Sequence, residues 1–294
     1  MKYGICYCYW NKNWEGTDYP KFIGRARKCG FDVLEIFYGR TLEMEQPEID
    51  EIKAACREYD VEIYVSGGFG DDYYLTSFDE DVRRKGVANA IKLLKAMARL
   101  GAHNFSGINY APWCNFEEAF EKKKATEQAA KSLKEIGKAC ADYDFSWNME
   151  VVNRFEGYLL NIADEATVLC NMVDDPHINI LLDSFHGMIE EDNLGDSIRK
   201  VGKEKLGHYH MGTNNRRPPR PGIIPFDEIC KALKDINYEK CVSFEPLVRT
   251  GGSVALEGGN VWRPMLPADI DDTMLDDIII ESRKYIEKCL AADK

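Results

Sequence analysis

The sequence predicts an α/β protein of the (β/α)8, or TIM-barrel, class, and three observations carry that prediction. Short β-prone runs alternate with longer helical patterns along all 294 residues. About eight such units follow one another, the number that closes a barrel. No shift of composition marks a second domain, so residues 1–294 are expected to form one domain with its site at the C-terminal strand ends. An open doubly wound sheet would carry a Gly-rich phosphate turn after its first strand, where Trp10-Asn11-Lys12-Asn13 stands instead.

Taken in order, the strands are expected at Tyr3 to Tyr9, Asp32 to Phe37, Glu62 to Val65, Asn104 to Ile108, Ser146 to Val151, Asn179 to Asp183, Gly207 to Met211 and Cys241 to Glu245. The helical patterns between and after them cover 17–29, 47–58, 80–99, 117–142, 164–173, 195–202, 226–235 and 275–290. Ser77 before Phe78-Asp79-Glu80 offers one helix start, and Pro225-Phe226-Asp227-Glu228 another, rigid at its entrance and acidic in its first turn. Two long connections, Thr213 to Ile224 and Thr250 to Asp272, exceed ordinary loop length and are expected to be lids or binding loops.

Composition narrows the function. A net charge of −12 repels nucleic-acid phosphates and anionic lipid, which leaves a small neutral ligand as partner, besides serving solubility. No run approaches the ~20 apolar residues of a membrane span, and no signal peptide precedes the first strand, so a cytoplasmic location is expected. The ten cysteines are scattered except for Cys6 and Cys8, and read as free thiols.

The chemistry shows where polar residues interrupt apolar strands. Strand five runs Ser146-Trp147-Asn148-Met149 into Glu150, strand six Ile180-Leu181-Leu182 into Asp183, and strand eight Val242-Ser243-Phe244 into Glu245. Strand seven carries His208 and His210 on one face, the later one nearer the active rim. Four consecutive strands thus deliver Glu150, Asp183, His210 and Glu245 to one end of the barrel, with His208 as a buried, hydrogen-bonded neighbour. Three carboxylates and one imidazole are costly to bury without a cation, and the oxygen-rich set suits Mn²⁺, Mg²⁺ or Co²⁺ better than structural zinc.

Asn148-Met149-Glu150-Val151-Val152-Asn153-Arg154-Phe155-Glu156, Leu182-Asp183-Ser184-Phe185-His186, His208-Tyr209-His210-Met211-Gly212 with Asn215-Arg216, and Phe244-Glu245-Pro246 resemble, in that order, the motifs of the ketose 3-epimerases, the D-tagatose and D-psicose (D-allulose) 3-epimerases. Arg249-Thr250-Gly251-Gly252 and Val261-Trp262-Arg263 extend the likeness, as do Tyr7, Tyr9 and Trp10. The resemblance implies metal ligation by Glu150, Asp183, His210 and Glu245. It implies that Glu156, His186 and Arg216 hold substrate hydroxyls, with Trp113 and Tyr7 also in the substrate site. It further implies Mn²⁺ or Co²⁺ as cofactor and a homodimer or homotetramer. Three departures bear on the preferred sugar: Thr213 replaces a glutamate, Cys6 a tyrosine, and Ser66-Gly67-Gly68-Phe69-Gly70-Asp71 a Gly-His-Gly-Pro turn.

The expected reaction inverts C3 of a free ketose through a cis-enediolate, with Glu150 and Glu245 exchanging protons from opposite faces. An aldose–ketose isomerase and a keto-sugar or inosose lyase are the alternatives on the same metal site. A metal-dependent nuclease would need a basic groove, and near the strand ends the compact basic stretch is Arg216 to Arg220, in a chain of net charge −12.

Overall fold

The computed structural model describes residues 1–292. Eight parallel strands close in sequence order: β1 (Lys2–Cys6), β2 (Val33–Phe37), β3 (Glu62–Ser66), β4 (Asn104–Gly107), β5 (Ser146–Glu150), β6 (Ile178–Asp183), β7 (Leu206–Met211) and β8 (Cys241–Phe244), with β8 paired to β1. The expected barrel is therefore what forms. Four strands stop earlier than expected, β4, β5 and β8 by one residue each and β1 by three. β1 ends at Cys6 because the chain turns into a single 3-10 turn over Tyr7–Tyr9, where the amides of Trp10 and Asn11 both return to the Tyr7 carbonyl. β8 ends at Phe244 because Pro246 supplies no amide to continue a ladder.

The helices are α1 (Tyr19–Lys28), α2 (Gln46–Tyr59), α3 (Glu80–Leu100), α4 (Lys122–Ala141), α5 (Ala163–Val173), α6 (Ser184–Glu190), α7 (Leu194–Lys205), α8 (Phe226–Asp235), α9 (Ser253–Leu256) and α10 (Asp272–Ala291). The cap of α3 is Asp79, whose carboxylate accepts from the amides of Asp81 and Val82, while the Ser77 hydroxyl accepts from Asp79 one turn earlier. α4 begins five residues later than the pattern at 117 suggests, because Asn115 draws the Glu117 amide into a side-chain turn ahead of it. Sequence periodicity missed α6 and α9, both too short to show a repeat. Among the described residues no helix is long and apolar enough to cross a membrane.

The core lies between the outer barrel wall and the helices. α3 buries Val87, Ala90, Leu94 and Met97, the spacing of one helical face. Each large aliphatic side chain so buried contributes about 1.5–3 kcal/mol over its exposed state. Inside the barrel the packing is polar. Asn179 donates to Ser146 (3.1 Å), Ser146 to Asn148 (2.8 Å), Asn148 to Ser106 (3.2 Å) and Ser106 to Asn104 (2.8 Å). Gly207 on β7 makes room for this ladder, since a Cβ there would sit 1.8 Å from Asn148 Oδ1.

Candidate metal centre and sugar pocket

The four strand-end residues do converge. Glu150 closes β5, Asp183 closes β6, His210 lies near the end of β7, and Glu245 follows β8 directly. One ligand atom from each falls within 4.8 Å of the other three. His210 Nδ1 stands 3.4 Å from Glu245 Oε2 and 3.9 Å from both Glu150 Oε1 and Asp183 Oδ2. That nitrogen is buried and has no hydrogen-bond partner among the described residues. Donors about 2.1 Å from an octahedral ion stand ~3–4 Å apart, so this orphaned nitrogen and its three carboxylates fit one divalent cation. They could hold it together.

Local structure aims each group. Asp183 uses one oxygen to cap α6 at the Phe185 amide and the other to meet Arg216. The backbone carbonyl of Glu150 accepts from the Tyr110 hydroxyl at 2.9 Å. Behind the cluster, Glu35 on β2 takes His210 Nε2 at 2.9 Å and His208 Nε2 at 3.1 Å. Sequence reasoning placed His208 rightly as a bonded neighbour and missed Glu35. A lone carboxylate inside Val33-Leu34-Glu35-Ile36-Phe37 was the available signal.

Arg216 is the counter-charge. Its Nη1 donates to Asp183 Oδ2 at 2.9 Å and to Glu245 Oε2 at 2.7 Å, its Nη2 lies 2.9 Å from His186 Nε2, and its guanidinium stacks 4.0 Å from the Phe185 ring. Its backbone is left-handed, at φ 57°, a conformation that costs a non-glycine residue about 1 kcal/mol or more. Thr213 sustains it: the Thr213 carbonyl accepts from the Arg216 amide and its hydroxyl accepts from the Arg217 amide, each at 2.9 Å. The departure at Thr213 thus braces a turn and lies outside the cavity wall.

Burial and neighbouring charge split the carboxylates. Burial raises Glu150 well above the ordinary carboxylate range, reinforced by the charge of Glu245. Burial lifts Asp183 to about 6, with Arg216 pulling the other way. Burial would raise Glu245 too, but Arg216 and then His210 outweigh it and hold it down at about 2. Burial, aided by Arg216, keeps the His186 imidazole well below its usual value, hence neutral.

The remaining expected residues, Tyr7 excepted, gather around a small cavity of about 60 Å³ that touches Glu150, His186, His210, Arg216 and Glu245. Glu156 is fixed by Asn153 Nδ2 (3.0 Å) and by Trp113 Nε1 (3.3 Å), and Asn153 also reaches His186 Nδ1 at 2.7 Å. Asn153 was not foreseen as a site residue, nor were Trp14 and Phe37, which stack at 5.7 Å on the same cavity. Ser66, Gly67 and Gly68 line it as well, whereas Cys6 packs behind it with Cys8, Leu247 and Val254. Tyr7 is not brought to the site. Its ring packs edge-on against Tyr19 and Phe22 and its hydroxyl meets Asn11 and Asp18, because the 3-10 turn after β1 swings it under α1. Outward, the cavity shares Trp113, Glu156, Arg216, Leu247 and Gly258 with a wider recess of about 650 Å³.

A closed barrel with such a rim places the chain in a known class. The profile of the xylose isomerase-like TIM barrel family matches residues 23–265, and the chain belongs to that family. It is an enzyme of the isomerase class, as its curated relatives are. The D-psicose 3-epimerase of Ruminiclostridium cellulolyticum is 36% identical over 98% of this chain and 99% of its own. The D-psicose 3-epimerase of Agrobacterium fabrum is 33% identical over 90% of this chain and 91% of its own. The crystal structure of D-psicose 3-epimerase with D-tagatose from Clostridium cellulolyticum H10 superposes with a TM-score of 0.94, at 35% identity, over 99% of this chain and 100% of that one.

Proposed function

We propose that this protein is a ketose 3-epimerase that inverts C3 of free ketoses of the D-fructose/D-psicose and D-tagatose/D-sorbose type. The observation that carries the proposal is the pair of glutamates, buried Glu150 and partly exposed Glu245, brought to one cation-sized cluster from strands that are not neighbours in the barrel. Residues 1–294 act as one domain, and the ligand set is Glu150, Asp183, His210 and Glu245. The ion is Mn²⁺ or Co²⁺, with Mg²⁺ also admitted by the donors. When bound it supplies electrostatic stabilisation of the negative charge that develops beside the ketone.

The chain's own residues do the rest. One glutamate removes the C3 proton from one face of the sugar, giving the planar cis-enediolate, and the other returns a proton to the opposite face. In the reverse direction the two exchange roles. Arg216, His186 and Glu156 hold substrate hydroxyls, each pre-set by the contacts described above, and Trp113 forms a wall. The relatives' names support this substrate class, since those proteins are called D-psicose 3-epimerases. A cytoplasmic homodimer or homotetramer completes the proposal, checked by light scattering of the purified protein.

The deciding experiment incubates D-fructose or D-tagatose with the Mn²⁺-loaded protein in D₂O and locates the label by NMR. Deuterium at C3 with a C3 epimer formed is the expected result. Label at C1 with an aldose formed, or loss of water from the sugar, would replace epimerisation by isomerase or lyase chemistry.

A further inference from the structure

Glu35 has a wholly buried side chain at the centre of β2, within hydrogen-bond distance of two histidines. Its Oε1 meets His210 Nε2 at 2.9 Å and its Oε2 meets His208 Nε2 at 3.1 Å. The two rings stand nearly perpendicular, 81° apart with centroids separated by 4.9 Å. The other nitrogen of each ring, Nδ1, is buried with no partner among the described residues. An ionised carboxylate only accepts hydrogen bonds, so each Nε2 that it holds carries a hydrogen. His210 is thereby left with Nδ1 facing Glu150, Asp183 and Glu245.

We propose that Glu35 is a positioning residue that keeps the hydrogen of His210 on Nε2, so that Nδ1 is the atom offered to the cation. The proposal rests on the metal site described above. Carboxylates behind ligating histidines fix ring orientation and tautomer in this way, and losing one weakens metal binding by about 10–100-fold. Here one carboxylate serves two rings. A glutamine in its place offers one acceptor and one donor, so only one ring can keep its Nε2 hydrogen. His208 Nδ1 has no hydrogen-bond partner among the described residues to receive a displaced hydrogen, whereas His210 Nδ1 has Glu245 Oε2 at 3.4 Å. His210 is therefore the ring that switches, and the hydrogen moves onto the very atom that should ligate.

The test uses the full chain labelled with ¹⁵N-histidine, the metal-free protein being read by NMR and Mn²⁺ binding by calorimetry. In the unsubstituted protein His210 Nε2 is expected to carry a hydrogen from pH 6 to 8. A bare Nε2 there overturns the proposal, and this readout needs no variant to fold. In Glu35→Gln, His210 is expected to carry its hydrogen on Nδ1, with Mn²⁺ affinity lowered about 10–100-fold. A folded Glu35→Gln protein that keeps the original tautomer, or binds Mn²⁺ as tightly as the parent, overturns it equally. Failure of the parent itself to bind Mn²⁺, with its tautomer as expected, would instead remove the metal-site reading beneath it.

Discussion

Replacing Arg216 by methionine removes the one cation that, among the described residues, bridges two of the cluster's carboxylates, while keeping much of the side-chain volume. The guanidinium holds Asp183 at 2.9 Å and Glu245 at 2.7 Å, and its side chain is only 9% exposed, so screening by water is slight. Removing one partner of such a buried pair costs about 3–5 kcal/mol. Unfolding entropy near 2.1 cal/mol/K per residue comes to about 0.6 kcal/mol/K for this length, which converts that loss to a Tm lower by about 5–8 °C. Without Arg216 the three acids repel one another more strongly, so a divalent cation should matter more to the variant than to the parent. At about 100 times its Kd the ion adds about 2.7 kcal/mol, or roughly 4 °C, and so recovers about half or more of the loss. The assay is calorimetric melting of parent and Arg216→Met, each with chelator and with Mn²⁺. Equal Tm values in chelator would refute the argument that the guanidinium neutralises this cluster.

Glu150→Gln and Glu245→Gln should each lower turnover by about 10²–10⁴-fold while Mn²⁺ is still bound, as judged by chromatography of ketose epimers alongside metal analysis; near-normal turnover in either metal-bound variant removes the two-base mechanism. In chelator, Asp183, lifted to about 6 in the fold against about 3.9 unfolded, contributes stability that is fully present below about pH 3.9 and lost as pH rises through about 6. The parent's Tm should therefore fall across that window relative to Asp183→Asn, and parallel curves would show that Asp183 carries no such shift. Gly258→Ala places a Cβ 2.7 Å from Trp113 at φ +98°, so it should push Trp113 off Glu156, raise KM several-fold and cost about 1 kcal/mol of stability. Unchanged KM would mean that Trp113 does not set the pocket wall.

The strand ends were legible because a carboxylate that stops an apolar run is conspicuous, and Glu150, Asp183 and Glu245 each do so. Barrel closure followed from the count of alternating units, and the period-two rule put both strand-seven histidines on one face. Tyr7 was placed in the substrate site by the resemblance alone, whereas two backbone bonds to the Tyr7 carbonyl curl the chain after Cys6 and turn the ring under α1. Trp14, Phe37 and Asn153 depend on how loops fold back over the rim, which no local period encodes. Glu35 could have been found: a charge in the middle of a buried strand demands a partner, and His208 and His210 were already in view.

The hydrogen-bonded ladder inside the barrel has a consequence for how this protein can change. From Asn179 through Ser146, Asn148 and Ser106 to Asn104, each side chain answers the next, and Gly207 is kept small by Asn148. Converting either wholly buried rung, Ser106 or Asn148, to valine leaves its neighbours' donors or acceptors unanswered, at about 1–3 kcal/mol. Substitutions along this inner wall should therefore travel in company, so that the floor beneath the sugar chemistry is inherited as a set while the rim loops above it remain free to vary one residue at a time.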